Sequence, residues 1–123
     1  MQSIVNDYKK LILELLESAK DEEKKKRFTA SYILYYKAFV ELIDLLIYEK
    51  TEQIIENHKD RIGKLKILNN DVSKIRDDLH YRYRQTYRKT ADYSDCKTIK
   101  NEIQKITILS KLEEDIEKTI KAL

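Results

Sequence analysis

Apolar residues recur at helical spacing along nearly the whole chain. Ile4, Val5, Tyr8, Leu11, Ile12, Leu15, Leu16 and Ala19 fall on one stripe at i, i+3, i+4 and i+7 steps, which predicts an amphipathic first helix. The run Asp21-Glu22-Glu23-Lys24-Lys25-Lys26 interrupts that stripe and predicts a solvated turn. A second helix is predicted over about Arg27 to Lys50, with Phe28, Tyr32, Tyr35, Phe39, Leu42 and Leu46 on one face. Ala30, Ile33, Leu34, Ala38, Val40, Ile43 and Ile47 widen that face beyond a stripe. A helix apolar over most of its circumference belongs in the middle of a bundle or at a subunit interface. The crowded Tyr32, Tyr35 and Tyr36 suit either place, because tyrosine joins an apolar body to a polar tip.

A shorter helix is expected over roughly Glu52 to Leu68, with Ile54, Ile55, His58, Ile62 and Leu65 in register. Asn69-Asn70-Asp71 ends it and offers cap residues for the next helix, about Val72 to Thr90, which should bury Val72, Ile75, Leu79, Tyr83 and Thr86. After a break around Asp92 to Asp95, the last stripe is Ile99, Ile103, Ile106, Leu109, Leu112, Ile116, Ile120 and Leu123. No strand-period alternation of useful length and no internal repeat are visible. The pattern therefore predicts an all-α fold, an antiparallel up-and-down bundle of four long helices plus one short helix, because short connections favour antiparallel neighbours.

At 123 residues the chain suits one domain spanning residues 1–123, large enough to bury a core without disulfides or a structural metal. Hydrophobic residues at 41% and charged residues at 38% are typical of amphipathic helices and poor for a disordered tail. With one glycine, Gly63, the chain cannot carry a phosphate-binding Walker loop, a dinucleotide fingerprint or a nucleophile elbow. The single Cys96 excludes a zinc ribbon or a disulfide framework, and it reads as an inert thiol. No basic stretch followed by an apolar run opens the sequence, and charges interrupt each apolar stretch, so neither a signal peptide nor a membrane span is expected. A cytoplasmic protein is the expectation. The Lys, Glu and Ile richness resembles a thermophile's composition.

Net charge is a mild +3, but it is unevenly placed. Between Lys74 and Lys89, six cations (Lys74, Arg76, Arg82, Arg84, Arg88, Lys89) face Asp77 and Asp78. That segment is where an anionic ligand is expected first. On a helix, Arg76, His80, Arg84 and Arg88 form an i, i+4 row that starts beside the apolar face and drifts outward, flanked by Tyr83 and Tyr87. Guanidinium forks along one ridge make a phosphate-binding surface, since each can donate two parallel hydrogen bonds to phosphate oxygens. The neighbouring cations favour a neutral His80, free to accept a proton. Arg76 for the developing charge and His80 for a 2′-hydroxyl proton would suffice for metal-free RNA cleavage. The same residues also read as a solvated basic face with surface pairs to Asp77 and Asp78.

Three stretches together resemble a HEPN domain, the helical nucleotide-binding domain of higher eukaryotes and prokaryotes. They are the central Ser31-Tyr32-Ile33-Leu34-Tyr35-Tyr36-Lys37-Ala38-Phe39, the histidine opening His58-Lys59-Asp60-Arg61-Ile62, and Tyr87-Arg88-Lys89-Thr90-Ala91-Asp92-Tyr93-Ser94-Asp95. The last is similar to the Arg-x-x-Ala-Asp-Tyr ending of prokaryotic members. The resemblance implies a homodimeric bundle associated with RNA cleavage or with a small nucleotidyltransferase partner, often as a toxin–antitoxin module. Ribonuclease members space their arginine and histidine more widely than the three residues between Arg76 and His80. A member that binds nucleotide or RNA phosphates through Arg84, Arg88, Tyr83, Tyr87 and Tyr93 fits better than one that cuts. A metal-independent endoribonuclease using Arg76 and His80 is one alternative, and a dimeric interaction module with no nucleic-acid role is the other. Tyr93 either accepts a nucleotidyl group, as the resemblance implies, or anchors its loop while Asp92 or Asp95 caps the last helix. His58 reads as a packed structural histidine. Without paired Glu-x-x-His motifs, no metal site is expected, and no cofactor.

Overall fold

The computed structural model describes residues 2–110, 120 and 123, with side chains at 3–108, 120 and 123. Five helices follow in order: α1 (Gln2–Lys24), α2 (Phe28–Thr51), α3 (His58–Leu68), α4 (Asn70–Gln85) and α5 (Tyr93–Ser110). The described residues are all helix and connections, with no strand. No described helix is long and apolar enough to cross a membrane. Leu112 and Ile116 of the predicted last stripe lie outside the described residues, as does the side chain of Leu109.

The centre of the molecule is α2, which packs against each of the other four helices. That position explains its broad apolar surface. Tyr32, Tyr35, Ala38, Phe39, Leu42, Ile43, Leu45 and Ile47 are fully buried along it. Ile12, Leu16 and Ala19 of α1, Leu65 of α3, Val72 and Leu79 of α4, and Ile99, Ile103 and Ile106 of α5 close around them. Two hydroxyls tie neighbours to the centre. Ser31 donates to the Ala19 carbonyl at 2.8 Å, and Tyr32 donates to the Leu79 carbonyl at 2.7 Å.

Three element boundaries differ from the sequence pattern, each for a local reason. The charged run 21–26 is mostly helix rather than a turn, because its side chains have partners. Glu23 accepts from Tyr35 Oη and from Lys100 Nζ, both at 2.8 Å. The helix then stops in a Schellman turn: Arg27 N–H reaches the Glu22 carbonyl and Lys26 N–H the Glu23 carbonyl, with Lys26 left-handed at φ 60°. Lysine in the position usually held by glycine left no mark in the sequence.

The third helix begins at His58 rather than Glu52. Glu52 ends α2 in the left-handed region, and Asn57 starts α3 by accepting from Asp60 N–H at 2.9 Å. Residues 52–57 are therefore a connection. Finally, α4 stops at Gln85, where Thr86 Oγ1 donates to the Tyr83 carbonyl at 2.6 Å and a turn follows. Other caps match expectation. Asn69 accepts from Val72 N–H, and Asp92 and Asp95 cap α5 reciprocally through each other's backbone N–H. Ala91 N–H donates to Thr29 Oγ1 and fastens that last connection to the start of α2.

Candidate functional site

The predicted row on α4 does not form one surface. Arg76 is 4% exposed, His80 is half-buried, and Arg84 and Arg88 are exposed, Arg88 lying beyond the helix end. The inward drift at Arg76 is what an i, i+4 row must do on a helix whose core centre is Leu79, and it changes the chemistry. An arginine so deeply placed needs partners. Nη1 donates to Asp77 at 3.1 Å and Nη2 donates to His58 Nε2, whereas Nε has no partner among the described residues.

His58 is therefore not packed between Ile54 and Ile62 as its register suggests. It opens α3, where the Asn57 cap turns it towards α4. Its ring centroid lies 5.0 Å from that of His80. Tyr36 from α2 completes the group, its hydroxyl 2.7 Å from His80 Nδ1. Tyr83 stacks on Tyr36 with centroids 4.5 Å apart and 13° between planes, and Tyr87 meets Tyr83 edge-on. Two histidines from different helices thus meet above a buried guanidinium.

Both rings are held neutral. Desolvation lowers the His58 pKa, helped by Arg76 and then Arg61. Desolvation also lowers that of His80, with Arg76, His58 and Arg84 adding to it. Since arginine can only donate, His58 Nε2 carries a lone pair and its ring proton sits on Nδ1. Burial raises the Tyr36 hydroxyl pKa, so it can donate to a bare His80 Nδ1 and leave the proton on Nε2.

A second guanidinium lies beside this cluster. Arg61 of α3 makes a two-pronged pair with Asp44 of α2, Nε to Oδ1 at 2.6 Å and Nη2 to Oδ2 at 2.8 Å. Asp44 is 5% exposed within an otherwise apolar stretch, and its hydrogen bond is the main reason the Arg61 pKa is raised. Arg61, His58, His80, Tyr36 and Tyr83 line one side of an open groove of about 500 Å³. Leu11 and Leu15 of α1, with Lys37, Val40 and Glu41 of α2, form the other. The groove has a polar pole and an apolar wall.

Tyr93, a predicted site residue, and Arg82, one of the cations of the basic segment, lie apart from it. Tyr93 is 56% exposed and packs edge-on against Phe28. Arg82 lies on the opposite side of α4, bridged to Asp78 at 3.3 Å and Asp95 at 3.0 Å. Cys96 is buried, and desolvation pushes its thiol up to about 11, so it is unreactive. Among the described residues, no group of three His, Cys, Asp or Glu side chains could hold a metal ion.

Sequence reasoning missed Arg61, Asp44 and the role of His58. Asp44 carried a signal: one carboxylate between Ile43 and Leu45 on a helix apolar all round requires a buried cation. Nothing in the sequence named Arg61 as that cation. No family model, curated protein or solved structure matches this chain.

Proposed function

We propose that the chain is a nucleotide- or RNA-binding protein of the HEPN kind, seating phosphate at the polar pole formed by His58, Arg61, Arg76 and His80. The observation that carries this reading is the meeting of two neutral histidines from different helices over the guanidinium of Arg76. Arg84 and Arg88 extend cationic surface outward from that pole, with Tyr83 and Tyr87 beside them. In this reading the helices form an antiparallel up-and-down bundle of four long helices and one short helix. Two copies pair as a homodimer in the cytoplasm. A small nucleotidyltransferase is the partner, as in a toxin–antitoxin pair.

Binding of a fluorescent single-stranded RNA, followed by anisotropy across a salt series, tests the phosphate contacts. Affinity should fall as salt rises, and Arg84→Glu should weaken binding and flatten the slope by about one phosphate contact while the fold survives. Absent or salt-insensitive binding overturns the proposal.

A second reading, a metal-independent endoribonuclease, is favoured by the 5.0 Å approach of His58 and His80. His80 would take the 2′-hydroxyl proton at Nδ1, the nitrogen Tyr36 Oη now contacts, once that hydroxyl turns away and as the 2′-oxygen attacks phosphorus. The other ring, protonated, would give a proton to the departing 5′-oxygen, leaving a cyclic phosphate and a free hydroxyl. Because both pKa values are lowered, the singly protonated pair is populated on the acid side of neutrality. Cleavage in a chelator should therefore be faster at mildly acidic pH. If His80→Ala cuts as fast as the parent chain, the ribonuclease reading fails.

A further inference from the structure

Glu41 stands where the apolar wall of the groove continues into a second recess. The groove of about 500 Å³ and a neighbouring recess of about 310 Å³, lined by Ile4, Tyr8 and Ile54, share Leu11 and Glu41. The flanking surface is apolar and open, with Leu11 40% and Ile54 53% exposed. Into it projects one half-buried carboxylate.

That carboxylate has no hydrogen-bond or salt-bridge partner among the described residues. Arg61, the nearby guanidinium, turns Nε and Nη2 to Asp44 rather than to Glu41. Desolvation, with Asp44 adding to it, raises the Glu41 pKa, the behaviour of an acceptor short of donors. A ligand that fills the groove should bring those donors.

We propose that the groove selects a guanine base, whose adjacent N1–H and N2–H groups donate to the two oxygens of Glu41 while its nucleotide's phosphate lies at the His58, Arg61 and His80 pole. This rests on the nucleotide-binding reading and adds the base. A carboxylate offers two parallel acceptors. Guanine is the common base that presents two neighbouring N–H donors on one edge. Adenine and cytosine set an acceptor nitrogen beside their amine, and uracil sets its one N–H between two carbonyls, so each turns a lone pair towards an oxygen of Glu41. A site built to satisfy two donors rejects such analogues strongly. An arginine side chain has the same two-donor fork, but it brings no phosphate for the His58, Arg61 and His80 pole that lines the same groove. The groove is within the roughly 300–1,000 Å³ range of small-ligand sites, and its apolar wall suits the face of a base.

Calorimetric titration of the parent chain and Glu41→Gln with GMP, AMP, CMP and UMP tests the assignment. The parent should bind GMP at least about tenfold more tightly than the other three, the worth of one charge-assisted pair. Glu41→Gln should bring GMP down to the level of AMP and leave the remaining affinities unchanged. The base preference of the parent is read without any variant, so it holds as a test even if Glu41→Gln folds poorly. Equal affinity for all four nucleotides in the parent overturns guanine selection and leaves phosphate binding standing. Binding of none of them, or preferential binding of N-acetyl-arginine amide, overturns both.

Discussion

Replacing Asp44 by asparagine removes one charge and almost no volume, and its cost follows from the geometry of the Arg61 pair. Asp44 is 5% exposed, and the Arg61 side chain is 15% exposed. Solvent therefore screens the pair weakly. The two contacts of 2.6 and 2.8 Å are charge-assisted, each worth about 1.5–3 kcal/mol. Asparagine keeps one acceptor oxygen, so one contact survives in neutral form. The larger loss is that Arg61 becomes a half-buried cation whose nearest remaining carboxylate, Glu41, makes no hydrogen bond to it. Breaking a buried pair from one side costs about 3–5 kcal/mol, a large share of a total stability of about 5–15 kcal/mol. Urea unfolding followed by far-UV circular dichroism should show that loss for Asp44→Asn. The double replacement Asp44→Leu with Arg61→Met should return to within about 1 kcal/mol of the parent, because neither charge then remains buried. A single-variant loss below about 1 kcal/mol, the size of an exposed pair, would refute the reasoning. So would a double variant as unstable as the single one.

Two further outcomes follow from groups already described. Tyr32→Phe deletes the 2.7 Å link from α2 to the Leu79 carbonyl and should cost about 1–2 kcal/mol in the same unfolding assay, and a loss near zero would show that this hydroxyl joins nothing of consequence. Stability should also depend on pH through the two histidines. Their folded pKa values lie below the ordinary 6.5, so the unfolded chain binds protons more readily, and stability is full above about 6.5 and falls as pH drops through the folded values. The urea midpoint should hold above about pH 6.5 and decline as pH falls below it, and His58→Ala with His80→Ala should flatten that decline. An unchanged slope in the double variant would assign the acid sensitivity to other groups.

The helices themselves were legible, because apolar spacing of 3.6 residues is a property of each segment alone. Asn69 and the Asp92/Asp95 pair were legible for the same reason, since a cap acts within three residues. What the sequence hid depends on distance in the chain. Lys100 and Tyr35 keep Glu23 helical, yet both lie far along the sequence from the charged run that looked like a turn. The arginine–histidine row was visible as a spacing, but its partner His58 comes from another helix and was placed in the wrong register. That error came from reading Ile54 and His58 as one periodic segment, when Asn57 starts a new helix between them. Arg61 was invisible as a site residue, since a basic residue on a short helix has no signature until Asp44 is found beneath it.

Tyr36, Lys37, Val40 and Glu41 all belong to α2, against which the remaining four helices lean. Anything seated among them grips the scaffold's backbone instead of a detachable loop. Occupancy should consequently be felt by the whole melting transition, with saturation at a hundred times the dissociation constant adding about 2.7 kcal/mol. Dye-based thermal screening of metabolite collections thus becomes a practical way to discover ligands for this chain.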